Sequence, residues 1–380
     1  MLGAMEPFEV ATPWWVDIAP IVERVPSVAV LRLLEVEPAP GYMMGGEVTY
    51  LVEARDDVAP EGGALGPLRA WAGSLTEDPL RMPWAYPGGP AADLEWAAAQ
   101  VQTTGPPVQH RTWNLSAIWS LPTSDGPVWM KCVPPFYRHE AAVLRLLSDK
   151  RVPRLLATDA HRLLLADLPG EDGYQASRPA RALLIDLLID LQISTIDRIA
   201  EFEAAGVPDR RWAALCDAAQ AVVMRSAPDD RALRRLIDGS DERVAAIDEC
   251  GLPYVLAHGD AHSGNARVGG EADPGIWFDW GDSRISHPIL DVAVLLRSGD
   301  EDGEGLVAHW LDGWKRLLPD TDPHRAWQLL KPLAALGDAV VYQGFLDRIE
   351  VTEQPYHASD VPACLAKATE LALAERATAE

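Results

Sequence analysis

The chain is short of several things, and each shortage removes a class of answer. Only four cysteines, Cys132, Cys216, Cys250 and Cys364, occur in 380 residues. They lie far apart with no C-x-x-C pair, which fits reduced thiols in a cytoplasm and not a disulfide framework. Basic residues are scarce: 33 Lys and Arg stand against 57 Asp and Glu, a formal charge of −24. That excess repels nucleic acid and anionic membrane alike. The most apolar tract, 183–199, is interrupted by Asp186, Asp190 and Asp197 and reads as a helix of a globular protein, not a membrane span. The opening MLGAMEPFEVATPWW has early acids and no basic-then-apolar signal. Neither G-x-x-x-x-G-K-[ST] nor G-x-G-x-x-G is present, so the ordinary P-loop route to phosphate is closed.

What remains is an ordinary globular balance, 48% apolar and 24% charged, long enough for two or three domains and a sizeable core. The acidic charge suits a cationic substrate and suits plain solubility equally well.

The most informative stretch runs from Tyr254 to Asp291, YVLAHGDAHSGNARVGGEADPGIWFDWGDSRISHPILD. Apolar residues lead into the polar loop His258-Gly259-Asp260-Ala261-His262-Ser263-Gly264-Asn265. A short run at 266–268 and another at 276–278 flank a Gly/Asp/Pro turn, which predicts a hairpin. Such a hairpin sets Asn265 beside Asp279. An amide oxygen next to a carboxylate makes a hard-oxygen seat for Mg²⁺, which takes its remaining ligands from water and substrate phosphates. Asp260 then faces the same space, where it can take a proton from a hydroxyl. His258 and His262 are four apart, but Gly259 and Gly264 oppose a helix and no third ligand follows, so a zinc pair is not expected.

The run H-G-D-x-H-x-x-N at 258–265, followed by F-D-W at 278–280 and D-V-A at 291–293, resembles the catalytic core of the aminoglycoside phosphotransferase family. The resemblance covers roughly residues 105–340. It implies an α+β, two-lobed protein-kinase-like fold, with a small β-rich N-lobe at 105–168 and a large helical C-lobe at 169–380. Residues 1–104 are left as an extra N-terminal α+β extension. The implied reaction moves the γ-phosphoryl group of ATP, or GTP, to a hydroxyl of a small molecule in the presence of Mg²⁺. Asp260 is then the catalytic base, and Asn265 and Asp279 the metal ligands. Lys131, on a strand and followed by a helix carrying Glu140, becomes the phosphate-binding ammonium steered by that glutamate. Asp167 and Leu168 fall at the hinge beside the adenine, and Asp291 braces the catalytic loop. Asp282 either approaches a second metal or caps the next element. The acceptor is left open among antibiotics, other hydroxylated metabolites, sugars and amino alcohols, and a catalytically silent nucleotide-binding scaffold is the other class. Oligomeric state is not encoded.

Elsewhere the pattern predicts strands at 28–36 and 47–54, a tryptophan-rich segment from Gly62 to Pro90, and a helix at 91–102. A hairpin follows at 115–133 around Thr123-Ser124-Asp125-Gly126. The phosphate-covering loop is expected at 110–114, and two more strands at 152–168. Helices are expected over 180–205, 210–225, 230–250 and most of the chain beyond 288. Asp186, Asp190, Asp197 and Glu201 are expected on one helical face, solvated or walling a cationic substrate. Acids at 300–304 cluster in a loop or at a helix start.

Overall fold

A computed structural model describes residues 5–39, 45–55, 77–269, 273–297 and 303–379. The turn residues Pro40 and Gly41, the segment from Gly62 through Trp71, and the acids Asp300, Glu301 and Asp302 lie outside the described residues. The chain forms two compact units. The first comprises residues 1–138, 155–167 and 346–358; the second comprises 139–154, 168–345 and 359–380.

The first unit is built on two antiparallel sheets. Strands β1 (Val28–Glu37) and β2 (Glu47–Ala54) pair with two register shifts in β1. The second sheet holds β3 (Val108–Thr112), β4 (Ala117–Thr123), β5 (Gly126–Cys132), β6 (Leu155–Thr158) and β7 (Arg162–Ala166), in the order β3-β4-β5-β7-β6. Alternation of apolar and polar residues sends Trp119, Leu121, Met130 and Leu164 to one face. There they pack with Trp84 and Ala97 from the segment preceding β3. Val30 stands opposite Val52 of β2, just before the first register shift, and the buried Gln109 side chain takes up its backbone N–H and C=O. Its Oε1 accepts from Val30 N–H at 2.9 Å and its Nε2 donates to Val30 O at 2.8 Å. An amide side chain thereby does the work of a neighbouring strand.

The expected phosphate-covering loop at 110–114 is only partly a loop: 110–112 are strand, and Trp113 and Asn114 lie in the turn from β3 to β4. His110, Arg111 and Thr112 belong to β3, which pairs with β4 through Arg111 opposite Ile118 and Thr112 opposite Ala117. Thr112 Oγ1 donates to Leu31 O at 3.4 Å, and Asn114 Nδ2 donates to Glu353 O at 3.3 Å. Arg111 pairs with Asp17 at 3.0 Å.

The second unit is mostly helical, with short strands β8 (Glu171–Asp172), β9 (Val255–Ala257), β10 (Ala266–Val268), β11 (Ile276–Trp277) and β12 (Arg284–Ser286). These form a three-stranded sheet, β11-β10-β8, and a pair, β12-β9. The hairpin expected from the sequence is present, with Ala266 opposite Trp277 and Arg267 opposite Ile276. Helix Arg178–Ile193 buries Leu184, Ile185, Leu188 and Ile189, and helix Gly303–Leu317 buries Trp310 and Trp314.

Two helices expected as continuous are divided. The span 180–205 breaks after Ile193, where Thr195 turns back to bond Gln192 O and to accept Leu256 N–H, and it resumes only at Ile199–Ala204. Asp186, Asp190, Asp197 and Glu201 therefore do not share one helix. Asp186 accepts from His309 Nε2 at 2.9 Å and Glu201 pairs with Arg198 at 2.9 Å, the behaviour of a solvated surface. The span 230–250 divides at Gly239 into Arg231–Asp238 and Ser240–Asp248. Conversely, Pro323–Leu346 runs as one helix with Pro332 inside it. No helix among the described residues is long and apolar enough to cross a membrane.

Candidate active site

The loop His258–Asn265 is held by side chains that the fold has buried for that purpose. Asp291, at the start of helix Ile289–Arg297, is fully buried and accepts from two successive backbone N–H groups. Its Oδ2 takes His258 N–H at 2.7 Å and its Oδ1 takes Gly259 N–H at 2.8 Å. Gln192 Nε2 donates to the same Oδ2 at 2.9 Å, while Gln192 Oε1 accepts from Trp314 Nε1 at 3.1 Å. Asp291 thus braces the loop. At Gly259 the backbone has φ +89°, and a Cβ there would stand 2.0 Å from Asp282 O, so only glycine fits.

His258 is completely enclosed, and burial pushes its imidazole below the usual histidine range. It is neutral at physiological pH, and its bonds fix the tautomer. Nε2–H donates to Phe278 O at 2.9 Å and Nδ1 accepts Asp260 N–H at 3.3 Å. Phe278 N–H in turn donates to Asn265 O at 2.9 Å. Phe278, immediately before Asp279, is therefore tied to both ends of the loop. On the other side of Asp279, Trp280 N–H donates to the buried Glu140 Oε1 at 3.2 Å. Asp279 itself is the one non-glycine among the described residues with positive φ, +63°. Asp and Asn tolerate that left-handed conformation better than other side chains.

Asp260 and Asn265 meet directly. Asn265 Nδ2 donates to Asp260 O at 2.9 Å and to Asp260 Oδ2 at 3.0 Å. With its NH₂ so engaged, Asn265 keeps its carbonyl oxygen as the atom to offer a cation. A neutral amide oxygen and the carboxylate of Asp279, on adjoining segments, are hard donors of the kind Mg²⁺ prefers. The residues present fit that ion.

Sequence reasoning weighed His262 only as a zinc ligand and did not single out Tyr174. His262 Nδ1 accepts Gly264 N–H at 3.1 Å, which leaves Nε2–H to face Asp260 Oδ2 at 3.3 Å. The Tyr174 ring stacks on His262 with centroids 5.7 Å apart and planes at 22°, its hydroxyl 3.2 Å from Nδ1. A Cβ on Gly264 would lie 2.3 Å from that tyrosine ring. The H-x-x-x-H spacing was the available signal for His262. For Tyr174, 88 positions away from it in the chain, the sequence carried none.

Lys131, on β5, and Asp167 belong to the first unit; Glu140, Leu168, Asp260, Asn265 and Asp279 belong to the second. One of the chain's crossings between the units thus falls between Asp167 and Leu168. Asp167 has a partner of its own, accepting from Trp129 Nε1 at 2.7 Å.

Short strands around a braced polar loop, ahead of a helical body, define a kinase-like α+β fold. Solved structures with that fold include the GDP and kanamycin complex of APH(2")-IIia, at 14% identity and TM-score 0.53 over 77% of this chain and 99% of that one. Another is an ethanolamine kinase from Plasmodium vivax, at 12% identity and TM-score 0.54 over 76% and 90%. A third is the macrolide 2'-phosphotransferase MphH from Brachybacterium faecium, at 17% identity and TM-score 0.52 over 73% and 96%. No curated protein sequence matched the chain. The model of the phosphotransferase enzyme family matches residues 131–327, just over half of the chain, and the chain belongs to that family.

Proposed function

We propose that this protein transfers the γ-phosphoryl group of ATP, or of GTP, to a hydroxyl of a small molecule. The observation that carries it is the double hold on Asp260: one carboxylate oxygen faces both Asn265 Nδ2 and His262 Nε2, beside the hairpin that delivers Asp279. Phosphoryl transfer requires little covalent work from the protein and much positioning. Asp260, fixed in orientation, aims the acceptor hydroxyl and takes its proton. Lys131 neutralises the phosphate tail, with Glu140 as its proposed counter-ion. The backbone at Asp167 and Leu168 meets the base of the nucleotide. Asn265 and Asp279 would hold Mg²⁺, which when bound offsets charge on the β- and γ-phosphates.

Four cysteines with no disulfide among them, and no spanning helix among the described residues, suit a cytoplasmic enzyme. The division into a 1–104 extension, a 105–168 N-lobe and a 169–380 C-lobe is proposed with it. An antibiotic or related hydroxylated metabolite, cationic ones included given the −24 charge, is the acceptor class to try first. Sugars and amino alcohols come second.

The test is nucleotide consumption with Mg²⁺ across a panel of aminoglycosides, macrolides, sugars and amino alcohols, with ATP and GTP in parallel. A phosphorylated product that disappears in Asp260→Asn supports the assignment. Nucleotide binding without turnover on any acceptor makes the chain a silent scaffold, and equal turnover by Asp260→Asn removes Asp260 from the chemistry.

A further inference from the structure

Away from the catalytic loop, the first unit gathers three ligating side chains of different chemistry at one point. Asp93 lies on helix Gly89–Ala98, Cys132 closes β5, and His161 sits in the turn between β6 and β7. One ligand atom from each falls within 4.8 Å of the other two, and no other such group of three occurs among the described residues. His161 Nε2 is 3.0 Å from Asp93 Oδ1, and Cys132 Sγ is 3.3 Å from Asp93 Oδ2. Zinc bonds of about 2.0 Å to N or O and 2.3 Å to S give tetrahedral ligand–ligand edges of about 3.3–3.6 Å. The two observed edges, made to different oxygens of Asp93, and a spacing of no more than 4.8 Å among the three ligand atoms are close to what the ion requires.

We propose that Asp93, Cys132 and His161 form a zinc site. On binding, the Cys132 S–H bond is replaced by a sulfur–zinc bond and its proton leaves to solvent; water completes the tetrahedron. The carboxylate, the thiolate and a neutral imidazole then carry two negative charges against the ion's two positive ones. That neutrality matters because Asp93 is 2% exposed and Cys132 0%. Arg162 Nη1 also reaches Asp93 Oδ1, at 3.4 Å, but its own charge is matched by Asp159, bonded to its Nε at 3.0 Å. His161, with 17% of its side chain exposed, marks the side from which metal and water enter. The ion would fasten the helix that precedes β3 to the strand carrying Lys131, one residue from the metal-bound sulfur.

The alternative arrangement of the same atoms is a closed hydrogen-bond cluster, with thiol and imidazole both donating to Asp93. The two are separated by metal analysis of the full-length protein purified without chelator, Co²⁺ titration of the stripped protein, and thermal unfolding with and without Zn²⁺ at fixed Mg²⁺. One zinc per chain, a thiolate-to-cobalt charge-transfer band and a Tm raised by zinc are expected. In Cys132→Ser the band should vanish while the metal-free Tm stays near wild type, because a serine hydroxyl can still donate to Asp93. His161→Ala should weaken zinc binding at least tenfold. A wild-type protein with no zinc, no band and a Tm indifferent to zinc overturns the proposal. So does a band that survives in Cys132→Ser, which would place the metal on another cysteine.

Discussion

Asp291 offers the sharpest test of how the candidate catalytic loop is held, because its three bonds are separable by substitution. In Asp291→Asn the amide oxygen can take the place of Oδ2 and keep His258 N–H and Gln192 Nε2. The amide nitrogen then stands where Oδ1 stood, donor against donor with Gly259 N–H. Losing one charge-assisted bond and orphaning a buried N–H should cost about 2–3 kcal/mol. Asp291→Ala orphans all three donors in a site with no exposure, and about 3–5 kcal/mol is expected once incomplete additivity is allowed for. Urea unfolding followed by tryptophan fluorescence measures both, with unchanged m-values required for the comparison. Turnover should fall in both variants, because Gly259 precedes Asp260. Equal costs for the two substitutions, or a cost under about 0.5 kcal/mol for the asparagine, would refute the account of Asp291 as a bidentate brace.

Other expectations follow from the same coordinates. Asp279→Asn keeps a side chain that accepts the +63° φ and should remove nearly all turnover with little loss of Tm, whereas Asp279→Ala adds about 1 kcal/mol of backbone strain; circular dichroism melts beside a kinase assay distinguish these. Gly259→Ala drives a Cβ against Asp282 O and should leave little folded protein, scored by soluble yield and melting. His262→Ala removes one donor from Asp260 and should lower kcat by about tenfold with a smaller change in KM, a result a purely structural histidine would not give. Glu353 in the first unit is lifted to about 8 from 4.5, chiefly by burial. Between those values the folded protein holds a proton that the unfolded chain has lost, so stability should decline as pH rises from about 5 to 8. Glu353→Gln should flatten that slope, and urea midpoints at several pH values will show whether it does.

The candidate catalytic segment was legible because its pattern is local. Asp260, Asn265 and the two short runs around the turn lie within a few dozen residues, and the Gly259 and Gly264 positions ruled out a helix between them. The hairpin of β4 and β5 was legible for the same reason, its Asp125-Gly126 turn being a strong local signal. What escaped was set by partners distant in the chain. The polar run at 110–112 read as a loop because nothing nearby announces that Thr112 will bond Leu31 O. The break after Ile193 depends on Thr195 meeting Leu256, and the division at Gly239 on how much weight one glycine carries in an otherwise helical pattern. Tyr174 could not be connected with His262 by any spacing rule.

The return of residues 346–358 to the first unit has a consequence for how the protein is made. Leu33 N–H on β1 donates to Glu353 Oε1, and the buried Arg32 and Arg81 both pair with Glu350, contacts some 270–320 positions long. At roughly 5–20 residues per second, a ribosome spends on the order of 15–60 s between releasing β1 and releasing those carboxylates. Throughout that interval the nascent first unit lacks Glu350, the carboxylate that its two buried guanidinium groups share. The first unit's native closure therefore waits for residues 346–358, and a message truncated before codon 346 is expected to yield a destabilised product.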